Sequence, residues 1–148
     1  HFNHFLNCLM KIKVCAGGFL MKKNKLLFGK RSPKKTWAPN KWDIVGGRSL
    51  KGEHPLETLK RETFEEIGVN VLSARLIKSL DVVDESKNGY FKYHIYMITS
   101  WRGQPSNCCD EHTKIKWFTK EQLSKEKIAL NEYLTLLDDW FDDGTIVE

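Results

Sequence analysis

Hydrophobic and polar positions alternate most regularly in residues 91–101, where every second side chain from Phe91 to Thr99 would lie on one side of a β-strand. Shorter apolar stretches bounded by turn residues predict further strands. The strands predicted in this way lie at 11–21, 25–31, 42–47, 69–84 (as one strand or two) and 115–118. A turn at 22–24 joins the first two, and Lys87-Asn88-Gly89 has the composition of a hairpin turn.

Apolar residues at helical spacing predict a helix over 55–67 and a second helix over 130–141. Pro55 suits the first turn, where its missing N–H removes no hydrogen bond, and Gly68 suits a left-handed cap. Thr119 is placed to cap a short helix. Because strands and helices both occur, the chain is predicted to be an α/β protein. The inward stripe of the first helix is Leu56, Leu59, Thr63 and Ile67.

The first predicted helix carries three glutamates that would share one face. Glu62, Glu65 and Glu66 are spaced i, i+3 and i+4, so their carboxylates converge on a helix. Three such anions repel one another, and a hard divalent cation with oxygen ligands relieves the repulsion. The alternative is a solvated acidic face, which is the usual meaning of an isolated Glu-x-x-Glu-Glu cluster.

Four further residues at fixed offsets favour the metal-binding interpretation. Gly47, Glu53, Arg61 and Gly68 join the three glutamates in one pattern. At an average usage of about 7% per residue type, seven such identities coincide by chance at roughly one starting position in 10^8. The pattern resembles the Nudix box, the signature of the Nudix hydrolases, and the resemblance covers residues 10–141.

The resemblance implies a fold and an activity. The fold is the Nudix α/β/α sandwich with a central mixed β-sheet. The activity is Mg²⁺-dependent hydrolysis, with Mn²⁺ as an alternative ion, of a phosphoanhydride in a nucleoside diphosphate linked to another group. The pattern is most similar to MutT-like members, which implies a nucleoside triphosphate, oxidised ones included, cleaved to the monophosphate and pyrophosphate. ADP-ribose or nucleotide-sugar hydrolysis and a non-catalytic nucleotide-binding module are the alternatives.

The resemblance also assigns roles to residues of the box. It implies that the three clustered glutamates bind the metal, together with the carbonyl of Gly46. It leaves open which carboxylate, inside the box or outside it, acts as the general base. The arginine is expected to pair with Glu53 and to support the loop. The implied catalytic set is Glu62, Glu65, Glu66, Arg61 and Glu53.

Residues outside the helix complete the predicted site. Glu111 lies in a segment similar to the late loop in which certain MutT-like proteins place a metal-binding or catalytic glutamate; an ordinary exposed acid is the alternative. Arg31 and Gly47 are predicted to contact substrate, and Asn131 resembles a base-recognising asparagine, although a helix cap is the favoured interpretation. His112 is left out of the catalytic set because a lone histidine is more often structural. The aromatic candidates for stacking on a base are Phe28, Trp37, Tyr90 and Trp101.

Composition and charge indicate which kinds of partner and compartment to expect. Twenty-four basic and 19 acidic residues leave a net charge of +5, which favours anionic small molecules but forms no stripe typical of a stable nucleic-acid complex. The basic stretch 22–35 is interpreted as solubilising, with phosphate binding as the alternative. No apolar run reaches the length of about 18 residues that a membrane helix needs. Four cysteines without zinc spacing predict free thiols and a cytoplasmic protein. The sequence does not distinguish a monomer from a homodimer, and either is expected.

The first nine residues are predicted to lie outside the domain. Residues 1–9 are predicted to be a remnant of expression cloning or a disordered N-terminus, because Met10 followed by Lys-Ile-Lys-Val is a natural start for a first strand. A single Nudix domain is predicted over 10–148.

Overall fold

The computed structural model describes residues 12–84 and 89–142. The predicted division after residue 9 and the Lys87-Asn88 part of the predicted turn lie outside the described residues. The strands are β1 (Lys13–Lys22), β2 (Lys25–Arg31), β3 (Trp42–Asp43), β4 (Val45–Arg48), β5 (Asn70–Asp84), β6 (Gly89–Arg102) and β7 (His112–Thr119). The helices in the described part of the chain are α1 (Pro55–Ile67), α2 (Lys120–Leu123) and α3 (Glu132–Asp142).

The strands form one mixed sheet. Its main order is β3-β2-β1-β6-β5, with β4 also paired to β1 and β7 also paired to β2. The central pair β1 and β6 is parallel, whereas the other pairings between strands are antiparallel. Parallel pairing brings the start of β1 beside the start of β6, with Lys13 opposite Phe91. The prediction of a mixed sheet is confirmed.

Helices cover both faces of the sheet. Alternate residues of β6 point to opposite faces, so Ile95 and Ile98 enter two separate cores. The core that contains Ile95 packs against α3, where the ring of Tyr133 contacts Phe19 edge-on at 5.6 Å between centroids. Such aromatic pairs contribute about 0.5–1.5 kcal/mol beyond the area they bury. The core that contains Ile98 packs against α1 through Leu59. This layering is the predicted α/β/α sandwich.

Local signals position α1. His54 is its N-cap in an extended conformation, and its Nδ1 accepts a hydrogen bond of 3.1 Å from the Leu56 amide. The Glu57 carboxylate in turn accepts a hydrogen bond of 3.0 Å from the His54 amide. At the other end, Gly68 adopts the left-handed conformation with φ of 71° and ends the helix. Both predicted ends of this helix, 55 and 67, are confirmed, whereas the histidine cap was not predicted.

Several predicted boundaries were wrong by a few residues. The predicted strand 42–47 is two strands, because Asp43 pairs with β2 while Val45–Arg48 pairs with β1, and the chain changes partner at Ile44. The predicted strand 115–118 extends over all of β7 because it pairs with the whole of β2. The segment 69–84 is one strand from residue 70, and the last helix begins at Glu132. Over the described ranges, no helix combines the length and apolar character needed to cross a membrane.

The His54 cap gives a test of the local argument. We expect His54→Ala to lower the free energy of unfolding by about 1 kcal/mol, because the Leu56 amide loses its acceptor. His54→Ser should keep most of the stability, since a serine hydroxyl can accept the same bond. Urea unfolding of the three proteins measures the difference. Equal midpoints for the alanine variant and the unchanged protein would show that the cap contributes nothing.

Candidate active site

Three carboxylates from two parts of the chain lie close together at the C-terminal half of α1. Glu62 and Glu66 come from α1, and Glu111 comes from the segment between β6 and β7. One oxygen of each lies within 4.8 Å of the others. The side chain of Glu66 is only 2% exposed, and its Oε2 has no hydrogen-bond partner among the described residues. The structure therefore brings three of the predicted metal ligands together around a buried, unsatisfied oxygen.

The proximity of these groups changes their proton affinity. Burial raises the pKa of Glu66 well above its usual value, and the neighbouring carboxylates of Glu111 and Glu62 raise it further. Burial alone would also raise the pKa of Glu111, but the Lys35 ammonium, 2.9 Å from its Oε1, holds that pKa below its ordinary value. Glu66 therefore holds its proton more tightly than an ordinary glutamate side chain does.

Two glycines bring backbone close to the carboxylates. Gly46 has a φ of 154°, and a Cβ there would collide with the backbone of Ala16 in β1. Its amide donates a hydrogen bond of 3.3 Å to Oε1 of Glu66. A Cβ on Gly47 would lie 2.5 Å from Oε2 of Glu62, so a side chain there would force that carboxylate to move. The role of the Gly46 carbonyl as a ligand stays a prediction.

The predicted pair of Arg61 and Glu53 is present and has two parallel contacts. Nε and Nη2 of Arg61 lie 2.9 and 3.0 Å from the two oxygens of Glu53. These hydrogen bonds lower the pKa of Glu53 to about 2. Arg61 also donates to the Arg48 carbonyl at 3.0 Å and, through Nη1, lies 2.6 Å from Glu62. The pair thus joins the loop before α1 to the helix and fixes one side of Glu62.

Glu65 lies outside the carboxylate cluster. Its side chain is 55% exposed, and its Oε2 is 3.4 Å from Nη1 of Arg61. Rotation of this exposed side chain would be needed to bring it to the other three carboxylates. Its assignment as a ligand therefore stays a prediction.

A cavity of about 220 Å³ lies against the cluster. Glu111, Trp37 and Asp43 line it, as does Arg31, whose guanidinium group is held in place by its neighbours. Arg31 donates to Asp43 at 3.2 Å and to the Trp37 carbonyl at 2.9 Å, and lies 4.8 Å from the centre of the Trp37 ring. The remaining charged and aromatic lining comprises Lys13, Lys35, Arg48, Asp84, Phe91, Tyr93 and His112.

Asp43 is a feature of this cavity that the sequence analysis missed. It is 4% exposed, and its carboxylate accepts hydrogen bonds from the Ile44 amide and the Tyr133 hydroxyl as well as from Arg31. Burial raises its pKa, and Arg31 opposes that effect. The signal was present, because an acid in the apolar run Trp42–Val45 needs a buried partner.

Some predicted substrate contacts are not in the cavity. Asn131 is exposed and does not line it, and its side chain makes no hydrogen bond within the described part of the chain. Its carbonyl accepts from the Leu134 amide, so the side-chain cap is not seen, and recognition of a base by Asn131 stays a prediction. Of the aromatic candidates, Trp37 alone lines the cavity; Phe28 is buried in the core, and Trp101 stacks on Trp117.

The chemistry of the cluster fits a hard divalent cation. All three side chains offer carboxylate oxygens, the donor type that Mg²⁺ and Mn²⁺ prefer. The unpartnered Oε2 of Glu66 is a buried acceptor that such an ion would satisfy. The thiols of Cys15, Cys108 and Cys109 are free but are not part of the cluster.

Comparison with known families identifies the arrangement. The family model of the NUDIX domain matches residues 11–138. This chain belongs to the Nudix family. The match spans the box, the preceding strands and Glu111, so it confirms the family predicted from the seven box residues.

Two individual proteins are similar to this one at about 31% identity. An 8-oxo-dGTP diphosphatase of Buchnera aphidicola subsp. Schizaphis graminum (strain Sg) is 31% identical over 87 residues, covering 59% of this chain and 63% of the relative. A prenyl-diphosphate phosphatase of Methanosarcina mazei is 31% identical over 108 residues, covering 69% and 60%. The matches thus span less than two thirds of the length of these relatives.

A solved structure confirms the fold. The MutT NUDIX hydrolase from Burkholderia pseudomallei superposes with a TM-score of 0.76 at 22% identity, covering 85% of this chain and 95% of that one. The similarity confirms the predicted α/β class and the Nudix sandwich.

The buried Glu66 predicts how stability depends on pH without metal. Its folded pKa is raised above the unfolded value of about 4.3, so its contribution to stability is present below that value and is lost as pH rises through the folded pKa. In chelator, we expect Glu66→Gln to become more stable than the unchanged protein as pH rises from 4 to 7.5. The gain is about 1.4 kcal/mol for each unit between the two pKa values.

Urea unfolding in chelator at both pH values measures this gain. Saturating Mg²⁺ should reverse the order at pH 7.5, because the ion binds the carboxylate and not the amide. A glutamine variant with the same stability as the unchanged protein at both pH values would contradict the expectation.

Proposed function

We propose that this Nudix protein hydrolyses nucleoside triphosphates, oxidised ones included, to the monophosphate and pyrophosphate with Mg²⁺. The observation that carries the proposal is the cluster of Glu62, Glu66 and Glu111 at the end of a cavity with basic and aromatic walls. The Buchnera relative, an 8-oxo-dGTP diphosphatase, supports the same substrate class.

The clustered carboxylates would hold the cation. Glu62, Glu66 and Glu111 are the central ligands, and Glu65 and the Gly46 carbonyl are proposed to complete the set. When bound, the ion neutralises charge that develops on the phosphates and makes the attacking water more acidic. The proton of that water passes to a carboxylate of the site. Glu65, being half exposed and outside the cluster, and Glu62 are the two box positions proposed for this role.

The chain's own residues would orient the substrate along the cavity. Lys35 lies 2.9 Å from Glu111, so it places positive charge where phosphates approach the carboxylates. Gly47 lets the backbone come close to them. The rings of Trp37 and Phe91, which both line the cavity and meet edge-on at 5.5 Å, are proposed to contact the base. Arg31 is proposed to bind substrate with the N–H groups that Asp43 and Trp37 leave available.

A prenyl diphosphate is a second candidate substrate. The Methanosarcina relative is a prenyl-diphosphate phosphatase, and the same aromatic wall could contact an isoprenoid chain. Both substrates present a diphosphate to the carboxylates and differ at the other end. ADP-ribose and nucleotide sugars stay as further alternatives.

The proposal also covers the partner, the location and the oligomeric state of the protein. We expect a small-molecule nucleotide partner, a cytoplasmic location and a monomer or homodimer. The free thiols of Cys15, Cys108 and Cys109 support a reducing compartment.

A substrate panel tests the proposal. We expect pyrophosphate release from dGTP or 8-oxo-dGTP with Mg²⁺ or Mn²⁺, and none in chelator. The panel includes other nucleoside triphosphates, ADP-ribose, a UDP-sugar and a prenyl diphosphate, with the phosphate products measured for each. Turnover of the prenyl compound alone would favour the second candidate. Nucleotide binding without any turnover would overturn the enzymatic proposal and favour a binding module.

Variants of single carboxylates test the assignment of the site. We expect Glu66→Gln and Glu111→Gln each to lower kcat about 100-fold or more, because each removes a central ligand. Glu65→Gln should show a comparable loss if rotation brings that side chain to the metal or the water. Glu126→Gln, an exposed acid away from the cluster, is the matched control and should retain full activity. Full activity of Glu66→Gln would exclude the proposed site.

A further inference from the structure

We infer that His112 is a positioning residue for Glu66, and that packing against Gly29 in β2 fixes the position of the His112 imidazole ring. The inference rests on the proposed function, because it concerns the carboxylate that is proposed to bind the metal. Its basis is packing between β2, β7 and α1, and it adds two residues that lie outside the box.

The imidazole occupies the space that a side chain at position 29 would need. A Cβ on Gly29 would lie 2.6 Å from Cγ of His112 and 2.8 Å from both Cδ2 and Nδ1. Such distances are well inside van der Waals contact, so any larger residue would displace the ring. His112 starts β7 and is 5% exposed. A register shift between Lys30 and Arg31 places this residue opposite Arg31.

The same ring lies against the buried carboxylate. Nε2 of His112 is 3.9 Å from Oε1 of Glu66, which is too long for a direct hydrogen bond but places the imidazole next to the carboxylate. On its other side, Oε1 accepts from the Gly46 amide at 3.3 Å. Glu66 is therefore held between β4 and the start of β7. This arrangement keeps one oxygen fixed while Oε2 stays without a hydrogen bond.

Two further contacts hold His112 itself. Its carbonyl accepts a hydrogen bond of 2.8 Å from Nδ2 of Asn107, and its Nδ1 lies 3.9 Å from Sγ of Cys109. The ring consequently has neighbours at Gly29, at Cys109 and at Glu66. Displacing the ring from Gly29 would therefore change its position relative to the Glu66 carboxylate, which lies 3.9 Å from Nε2.

A double-mutant cycle tests whether Gly29 acts through His112. The variants are Gly29→Ala, His112→Ala and the double variant, and the readout is Mn²⁺ affinity measured by electron paramagnetic resonance without substrate. We expect each single change to weaken Mn²⁺ binding about tenfold, as loss of a partner that orients a ligand does. The double variant should bind Mn²⁺ no more weakly than the single variant with the lower affinity. The reason is that a methyl group at position 29 has no ring left to displace once His112 is alanine.

Further variants separate positioning from general destabilisation. Gly52→Ala is the glycine control: the φ of 80° disfavours alanine there, but no atom lies within 4 Å of the added Cβ, so no side chain is displaced. It should lower the unfolding temperature and leave Mn²⁺ affinity unchanged. His112→Gln, which keeps a polar group of similar length, should recover part of the affinity. If His112→Ala does not fold, His112→Gln replaces it in the double-mutant cycle.

The outcomes distinguish this inference from the proposed function. Losses of affinity that add in the double variant, or unchanged affinity in Gly29→Ala and His112→Gln with lower stability, would overturn the positioning role. If the unchanged protein bound no Mn²⁺ and Glu66→Gln changed nothing, the proposed metal site would fail instead. Binding that is sensitive to Glu66 but not to Gly29 or His112 would leave the proposed function in place and reject only the inference.

Discussion

The mutual repulsion of Glu62, Glu66 and Glu111 is the constraint on which the rest of the structure depends. Three carboxylate oxygens within 4.8 Å, one of them on a buried side chain, are unfavourable in a folded protein unless a proton or a cation compensates. Arg61 and Lys35 each reduce the charge at one side of the cluster but leave Glu66 without a cationic partner of its own. A region that costs stability in this way is typical of a functional site.

Three glycines in the strands around the cluster allow close contacts because they have no Cβ atom. Gly47 makes space for the carboxylate of Glu62, Gly46 brings its amide to Glu66, and Gly29 makes space for His112. At Gly47 and Gly29 a side chain from another element fills the space that a Cβ would need, and at Gly46 the backbone of β1 fills it. The sheet can therefore place backbone and polar side chains at close range, whereas ordinary strand residues would hold them apart.

The two faces of the sheet have different tasks. On one face, Phe19, Phe28 and Tyr133 form an aromatic core beneath α3, which gives the domain much of its apolar burial. On the other, α1 presents its apolar stripe to the sheet and its glutamates to the cavity. Asp43 links the two, because its carboxylate contacts Tyr133 of the core helix and Arg31 of the cavity. The core and the wall of the cavity are thus linked through one buried acid.

The sequence by itself determined the family, the helix 55–67 with its ends, the alternation in β6 and the identity of the box carboxylates, because these depend on spacing within short segments. It did not determine which carboxylates meet. Glu111 lies 45 residues after Glu66, and only the pairing of β7 with β2 brings it there, while Glu65, four residues from Arg61, stays outside. The cavity role of Asp43, the place of His112 on Gly29 and the absence of Asn131 from the cavity were likewise decided by tertiary packing, since each depends on contacts between distant strands that no local pattern encodes.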